Sequence, residues 1–282
     1  MVNFLKSDWL TTRISGVAKL STCVIGKVDH GVAKLMADRC LFCLATLAPG
    51  PGSGSRSGLA VIAAPGPVSV LLCDPCRRGL DLNRCPCEGC GEPLPEHRWR
   101  RPAGERLCGR CLVEPFSFHE VRTPLIYRDE IRRLVQRFKA EAHLPSAQLL
   151  VALFLEASLA GENGVPDALI GVPRHPVRAR RFGFDQGQWL ACELGRRLGV
   201  PVRRAWRRRD DRPQHELGSR ARRRIASGMF GIASGLPRHV ALVDDVMTTG
   251  ATLERLAQAC RRAGARRVDA WALARTPPPW LC

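Results

Sequence analysis

Two adjacent carboxylates close an apolar run at Val240-Ala241-Leu242-Val243-Asp244-Asp245, and a loop of small and hydroxylated residues follows, Val246-Met247-Thr248-Thr249-Gly250-Ala251-Thr252. Ionised aspartates only accept hydrogen bonds, so vicinal sugar hydroxyls are natural partners for Asp244 and Asp245. A turn of this composition opening a helix offers inward N–H groups, Thr hydroxyls and partial positive charge, all suited to a phosphate. A ribose 5-phosphate satisfies both halves. The plain alternative is a strand-to-helix turn capped by Thr. Paired acids followed by Thr-Thr-Gly-x-Thr are much more restrictive than a lone Gly-rich loop.

A second chemistry lies in four C-x2-C pairs, Cys40/Cys43, Cys73/Cys76, Cys87/Cys90 and Cys108/Cys111. Each pair places two sulfurs near one Zn2+ at about 2.3 Å, and two pairs close a tetrahedral structural site. Two zinc ions per chain are expected, held by Cys40, Cys43, Cys73 and Cys76 and by Cys87, Cys90, Cys108 and Cys111; an interleaved pairing stays open. Cys85 is a spare ligand. Cys23, Cys192, Cys260 and Cys282 read as buried or incidental thiols, and His97 as exposed. The Pro-Gly-Ser run from Pro49 to Ser55 lengthens the first interval at small thermodynamic cost.

These groups need elements to carry them. Val240–Val243 reads as a strand and Leu253, Leu256, Ala257 and Cys260 as one face of a helix. Upstream, Val121, Thr123, Leu125 and Tyr127 alternate as in a strand. Ile131, Leu134, Val135 and Phe138 then follow at helical spacing, with Asp129 the expected N-cap. A further helix is expected over about 147–160, a buried strand over 168–173, a helix over 188–198, a short strand from Val202 and a last strand over 267–273. Arg174, His175 and Arg178 follow the 168–173 strand, where open α/β sheets bind ligands, and guanidinium groups there suit a phosphate. His175 as a base is a weaker reading than His175 as a plain hydrogen-bonding residue. Residues 276–280 form a Pro-rich tail with no assigned role.

The stretch Val-Asp-Asp-Val-Met-Thr-Thr-Gly-Ala-Thr resembles the phosphoribosyl pyrophosphate (PRPP) motif of type I phosphoribosyltransferases. Together with the Cys-rich front and Gly91-Glu92-Pro93-Leu94 it resembles the ComF/GntX family of competence-associated phosphoribosyltransferase-like proteins. The resemblance implies an α/β fold, a parallel sheet flanked by helices, preceded by a double zinc ribbon. Boundaries then fall as a 1–39 extension, a 40–114 zinc module and a 115–282 phosphoribosyltransferase-like domain. It further implies PRPP bound with Mg2+ by Asp244, Asp245, Met247, Thr248, Thr249, Gly250, Thr252, Arg174 and Arg178, with Asp244 and Asp245 in the catalytic role. Arg212, Pro213, Gln214, Leu217 and Arg222 match the family's mobile loop. Asp185 stands where the family usually has Asn.

Bulk properties frame the partners. The chain has 282 residues, 44 Lys and Arg against 26 Asp and Glu, and a net charge of +18. That excess, mostly Arg, has two readings: a polyanionic partner such as nucleic acid or a phosphorylated small molecule, or the codon bias of a GC-rich genome. No run is long and apolar enough to span a membrane, and no secretory signal is evident, so the expected compartment is the cytoplasm. Two function classes follow: a Mg2+-dependent phosphoribosyltransferase tied to DNA uptake or nucleotide salvage, or a non-catalytic PRPP- or nucleotide-sensing module that contacts single-stranded DNA. Docking to a competence helicase is a third reading.

Overall fold

The structure is a computed structural model that describes residues 39–47, 72–98, 100–102, 104–158, 164–174, 184–207 and 229–281. Six strands form one sheet: β1 (Val121–Arg122), β2 (Leu125–Ile126), β3 (Ala168–Gly171), β4 (Val202–Arg203), β7 (His239–Met247) and β8 (Arg267–Arg275). Their order is β1-β8-β7-β3-β4, with β2 also on β8, and every pairing is parallel. A separate antiparallel pair joins β5 (Ala205–Arg207) to β6 (Phe230–Ile232). It flanks the Arg-rich stretch 208–228, which lies outside the described residues.

Alternation along the two long strands divides the core. Ala241 and Val243 of β7 with Trp271 and Leu273 of β8 face one side; Val240 and Leu242 with Val268 and Ala270 face the other. Both faces are covered, which is why these strands read as near-continuous apolar runs. The first face carries α3 (Asp129–Glu141), α4 (Leu144–Ser158) and α5 (Gln186–Leu198), and the second carries α6 (Ala251–Arg262). Two short helices, α1 (Asp74–Arg78) and α2 (Gly109–Val113), belong to the Cys-rich part. In that part Cys40, Cys73 and Cys76 pack with the α3/α4/α5 side, and Cys87, Cys90, Cys108 and Cys111 with the α6 side.

In α3, Ile131, Leu134, Val135 and Phe138 are buried as their spacing predicts. Asp129 is not the N-cap, however. It already lies in the first helical turn at φ 41°, Arg128 takes the cap position, and no side chain caps the helix. The cause is a competing partner: Arg128 is extended to grip Asp81 through Nε and Nη2 at 2.6 and 2.8 Å, and this pair fixes the entry of the chain. α4 begins three residues earlier than expected, with Pro145 in its first turn, where a missing N–H costs nothing. It is buried on several sides, so its sequence shows little amphipathic contrast.

The alternating 121–127 stretch is two short strands. Pro124 separates them, and the Thr123 hydroxyl turns to the Gly91 carbonyl at 3.0 Å. β8 runs to Arg275, two residues beyond the expected end, and the tail after it is anchored: Thr276 N donates to Met247 O at 3.1 Å and Arg128 Nη1 to Leu281 O at 3.0 Å.

Candidate ligand and metal sites

Asp244 and Asp245 occupy the carboxyl end of β7, between β3 and β8. Adjacent strand residues point to opposite faces. Asp245, 8% exposed, turns to the α3 side and pairs with Lys139 Nζ at 2.9 Å. Asp244, half-buried, lines a small solvent-open hollow together with residues 246–253. The Asp245 amide donates to Asp244 Oδ1 at 2.9 Å. Burial, then the like charge of Asp245, pushes the Asp244 carboxyl up to about 8, with Asp185 adding to the rise and Lys139 opposing it.

The loop from Met247 to Gly250 opens directly into α6. Gly250 is the N-cap, left-handed at φ 78°, and no side chain caps the helix; Ala251 N has only a long 3.4 Å contact with Thr249 Oγ1. A Ser, Thr or Asp at the N-cap would occupy a first-turn amide with its side chain, whereas Gly leaves those amides unoccupied. Here the first-turn amides remain available, and Thr248, Thr249 and Thr252 are exposed at the rim. A Cβ at Gly250 would lie 2.6 Å from Met247 Cε and 3.0 Å from the Phe116 ring, on a backbone that disfavours any side chain. Gly250→Ala is therefore expected to destabilise the fold by about 1–2 kcal/mol and to weaken phosphate-ligand affinity as well. Thermal unfolding beside a ribose 5-phosphate titration checks both.

The neighbouring wall comes from β3 and α5. Gly171 and Gly187 let these elements touch: a Cβ on either would fall within 2.3 Å of the other's main chain or of Val172. This approach brings the N-cap of α5, Asp185, to the end of β3, where its carboxylate accepts Gln188 N at 3.0 Å and Arg174 N at 3.2 Å. Asp at this position thus acts as an acceptor for two amides, a role that does not need the donor an Asn would supply. Arg174 sits at the end of the described β3 segment. Arg178, His175 and the mobile-loop residues Arg212, Gln214 and Arg222 lie outside the described residues.

Three site residues escape the sequence reading. Lys139 reads as a solvated residue following the α3 stripe, and its partner Asp245 is distant in the chain. Arg275 lies beyond the expected end of the last strand; it is 4% exposed, and its side chain donates to Met247 O and Thr276 O at 3.1 and 3.0 Å and to Thr248 O. Arg110 donates to Thr249 O at 3.0 Å. A charge closing an otherwise apolar strand is the available signal for Arg275; nothing local marks the other two.

The cysteines assemble in sequential pairs. Cys40, Cys43, Cys73 and Cys76 form one group and Cys87, Cys90, Cys108 and Cys111 another, with the sulfurs of each within 4.8 Å of one another. Cys43 and Cys73 are 3.6 Å apart at Sγ, as are Cys90 and Cys108. Sulfurs around one tetrahedral Zn2+ are about 3.8 Å apart, from Zn–S near 2.3 Å, so the donor sets fit that metal. The Cys90 thiol and the Cys108 amide both hydrogen-bond Cys87 and pull its thiol down to about 5, towards the thiolate a metal needs. Cys85 is buried outside both groups, and Cys260 is a buried thiol whose pKa burial pushes up to about 12. His97 is exposed.

Comparison with known proteins bears on these sites. No protein-family model matches the chain. The DNA utilization protein YhgH of Escherichia coli strain K12 is 32% identical over 212 residues, covering 73% of this chain and 90% of YhgH. Competence protein F of Haemophilus influenzae is 30% identical over 223 residues, covering 72% and 96%. The chain belongs to the ComF family. Solved structures align more distantly: a purine phosphoribosyltransferase from Pyrococcus horikoshii at 19% identity over 53% of this chain and 85% of its own, TM-score 0.27, and the Trypanosoma cruzi hypoxanthine phosphoribosyltransferase at 14% over 52% and 76%, TM-score 0.28. Neither is close enough to bear on the ligand. In this ComF-family chain the parallel sheet and the two four-cysteine groups are as the sequence leads one to expect. Among the described residues no helix is long and apolar enough to cross a membrane.

Proposed function

We propose that this ComF-family protein binds PRPP, or a closely related phosphoribosyl ligand, in the hollow between Asp244 and the α6 N-terminus. The observation that carries the reading is the uncapped, glycine-turned entry to α6 directly beside a half-buried carboxylate. The loop amides and the Thr248, Thr249 and Thr252 hydroxyls hold the 5-phosphate, and Asp244 accepts from the ribose hydroxyls. Asp245 is held by Lys139 until ligand binding redistributes that charge. By the family resemblance Arg174 and Arg178 are assigned to the diphosphate, and Arg212, Gln214 and Arg222 to the family's mobile loop, whose closure would exclude water. Mg2+ bound with the ligand would neutralise charge on the diphosphate, and Asp244 and Asp245 are the carboxylates that could hold it. Both four-cysteine groups hold structural Zn2+, in a 40–114 module preceding the 115–282 ligand domain.

Catalysis in such a site is positioning and electrostatics, because departure of diphosphate leaves a ribosyl cation flanked by carboxylates. Incubation with PRPP, Mg2+ and a panel of nucleobases tests it. Base-dependent release of pyrophosphate is expected of a transferase, whereas tight binding with no release leaves a sensor.

The relatives' names point to DNA use and competence, and one observation favours a nucleic-acid surface here. Trp206, 49% exposed, sits on the β5–β6 pair that borders the Arg-rich stretch, an arrangement suited to stacking beside a phosphate-binding surface. Single-stranded DNA affinity is expected to fall steeply with salt and to be unchanged by Asp245→Ala; a flat salt response would exclude the surface.

A further inference from the structure

The ligand loop is fastened to the second four-cysteine group by two arginines. We propose that Arg110 and Arg275 are positioning residues through which metal binding at Cys87, Cys90, Cys108 and Cys111 sets the affinity of the anion-binding loop; the proposal rests on the phosphate reading of that loop.

Arg110 lies between Cys108 and Cys111, on α2, and its Nη1 donates to Thr249 O at 3.0 Å. Its guanidinium also covers the Phe116 ring at 4.9 Å, and that ring packs under Gly250. From the other side, buried Arg275 bridges the two parts: Nε donates to Cys90 O at 3.0 Å, while Nη1 donates to Met247 O at 3.1 Å and to Thr248 O. Glu92, two residues past Cys90, lies 3.6 Å from Arg275 Nη2.

Three successive loop carbonyls are therefore drawn toward two cations, Arg110 set between Cys108 and Cys111 and Arg275 at the end of β8, tied to the Cys90 carbonyl. In a planar trans peptide the C=O and the following N–H point in opposite directions. Pulling the carbonyls of Met247, Thr248 and Thr249 to one side turns the amides of Thr248, Thr249 and Gly250 to the other. The arginines also add positive potential behind the loop, which favours an anion in front of it. A metal that fixes Cys90 and α2 thereby fixes both anchors. Loss of that metal frees the loop to rotate its amides away from an anion.

Arg275 is buried and its replacement risks the fold, so exposed Arg110 carries the test. In the full-length zinc-loaded protein, Arg110→Ala is expected to weaken ribose 5-phosphate about tenfold by calorimetry, the scale of one charge-assisted hydrogen bond. Zinc content and unfolding temperature should stay those of the unsubstituted chain, and Arg110→Lys, which keeps a cationic donor, should recover most of the loss. Separately, Cys111→Ser is expected to lower the backbone order parameters of residues 248–250 from about 0.85 to below about 0.6 without exposing β7. Undiminished affinity in Arg110→Ala, or loop amides that keep their original order parameters in Cys111→Ser, would overturn the coupling. Should the unsubstituted protein fail to bind ribose 5-phosphate at all, the phosphate reading falls, and the relaxation experiment alone decides whether the metal group governs the loop.

Discussion

Replacing Asp244 by Asn should make the ligand-free protein more stable while removing its affinity for PRPP. The first half follows from linkage. Asp244 is held up to about 8 by burial and by Asp245, against 3.8 for the unperturbed group. The native state therefore binds the proton more tightly than the unfolded state. This contribution to stability is fully present below about pH 4, declines as pH rises, and is lost by the time pH passes 8. Asn has no charge to desolvate, so the variant should lose that decline. Because Asp244 is only half-buried, the expected gain at neutral pH is roughly 2 kcal/mol rather than the full value of the shift. The second half follows from chemistry: an amide is a poorer acceptor for two ribose hydroxyls and, unlike a carboxyl that can give up its proton beside a developing cation, it can never carry the offsetting charge. Denaturant unfolding between pH 4 and 8.5 reads the first effect. A variant whose pH profile parallels that of the native chain would show that Asp244 is not held protonated by its surroundings. A residue kept at a cost to stability is expected where function requires it.

The second large effect concerns metal. Elemental analysis should find about two zinc ions per chain, and stripping them should lower the unfolding temperature by about 10 °C or more. Closed four-thiolate sites supply folding free energy outright, on the order of 5 kcal/mol or above for structural zinc. At a few degrees per kcal/mol that is a large shift. The loss should extend beyond the Cys-rich segment, because Cys40 packs with the α3/α4/α5 side of the sheet and the second four cysteines pack with the α6 side. A chain with no zinc and undiminished stability would refute the assignment.

What the sequence reveals and what it conceals follow one physical division. The β7–loop–α6 unit is legible because its signals are local: an apolar run, paired acids, a glycine where the chain must turn left-handed, and then helical spacing. The four-cysteine groups are legible for the same reason, since each C-x2-C turn is a local device and only the pairing of turns is open. The buried face of α3 also shows in its spacing. Features decided by distant partners do not show. Asp129 meets every local criterion for an N-cap and loses the position to Arg128, which Asp81 has already claimed. Lys139 and Arg275 act on residues far along the chain, so no window of sequence contains both partners. Asp185 looks like a defect against the family's Asn and proves to be a helix cap that also holds Arg174 N. The β5–β6 pair escapes the sequence because short strands whose partners lie across a long Arg-rich segment carry little periodicity of their own.

The central claim, that the hollow beside Asp244 takes a phosphoribosyl ligand, is tested most directly by calorimetric titration of the full-length zinc-loaded chain with PRPP in the presence of Mg2+. Saturable binding of one ligand per chain is expected, competed by ribose 5-phosphate and abolished by Asp244→Asn with Asp245→Asn in a variant that remains folded. No heat of binding at millimolar PRPP, or an affinity unchanged in the double variant, would contradict it.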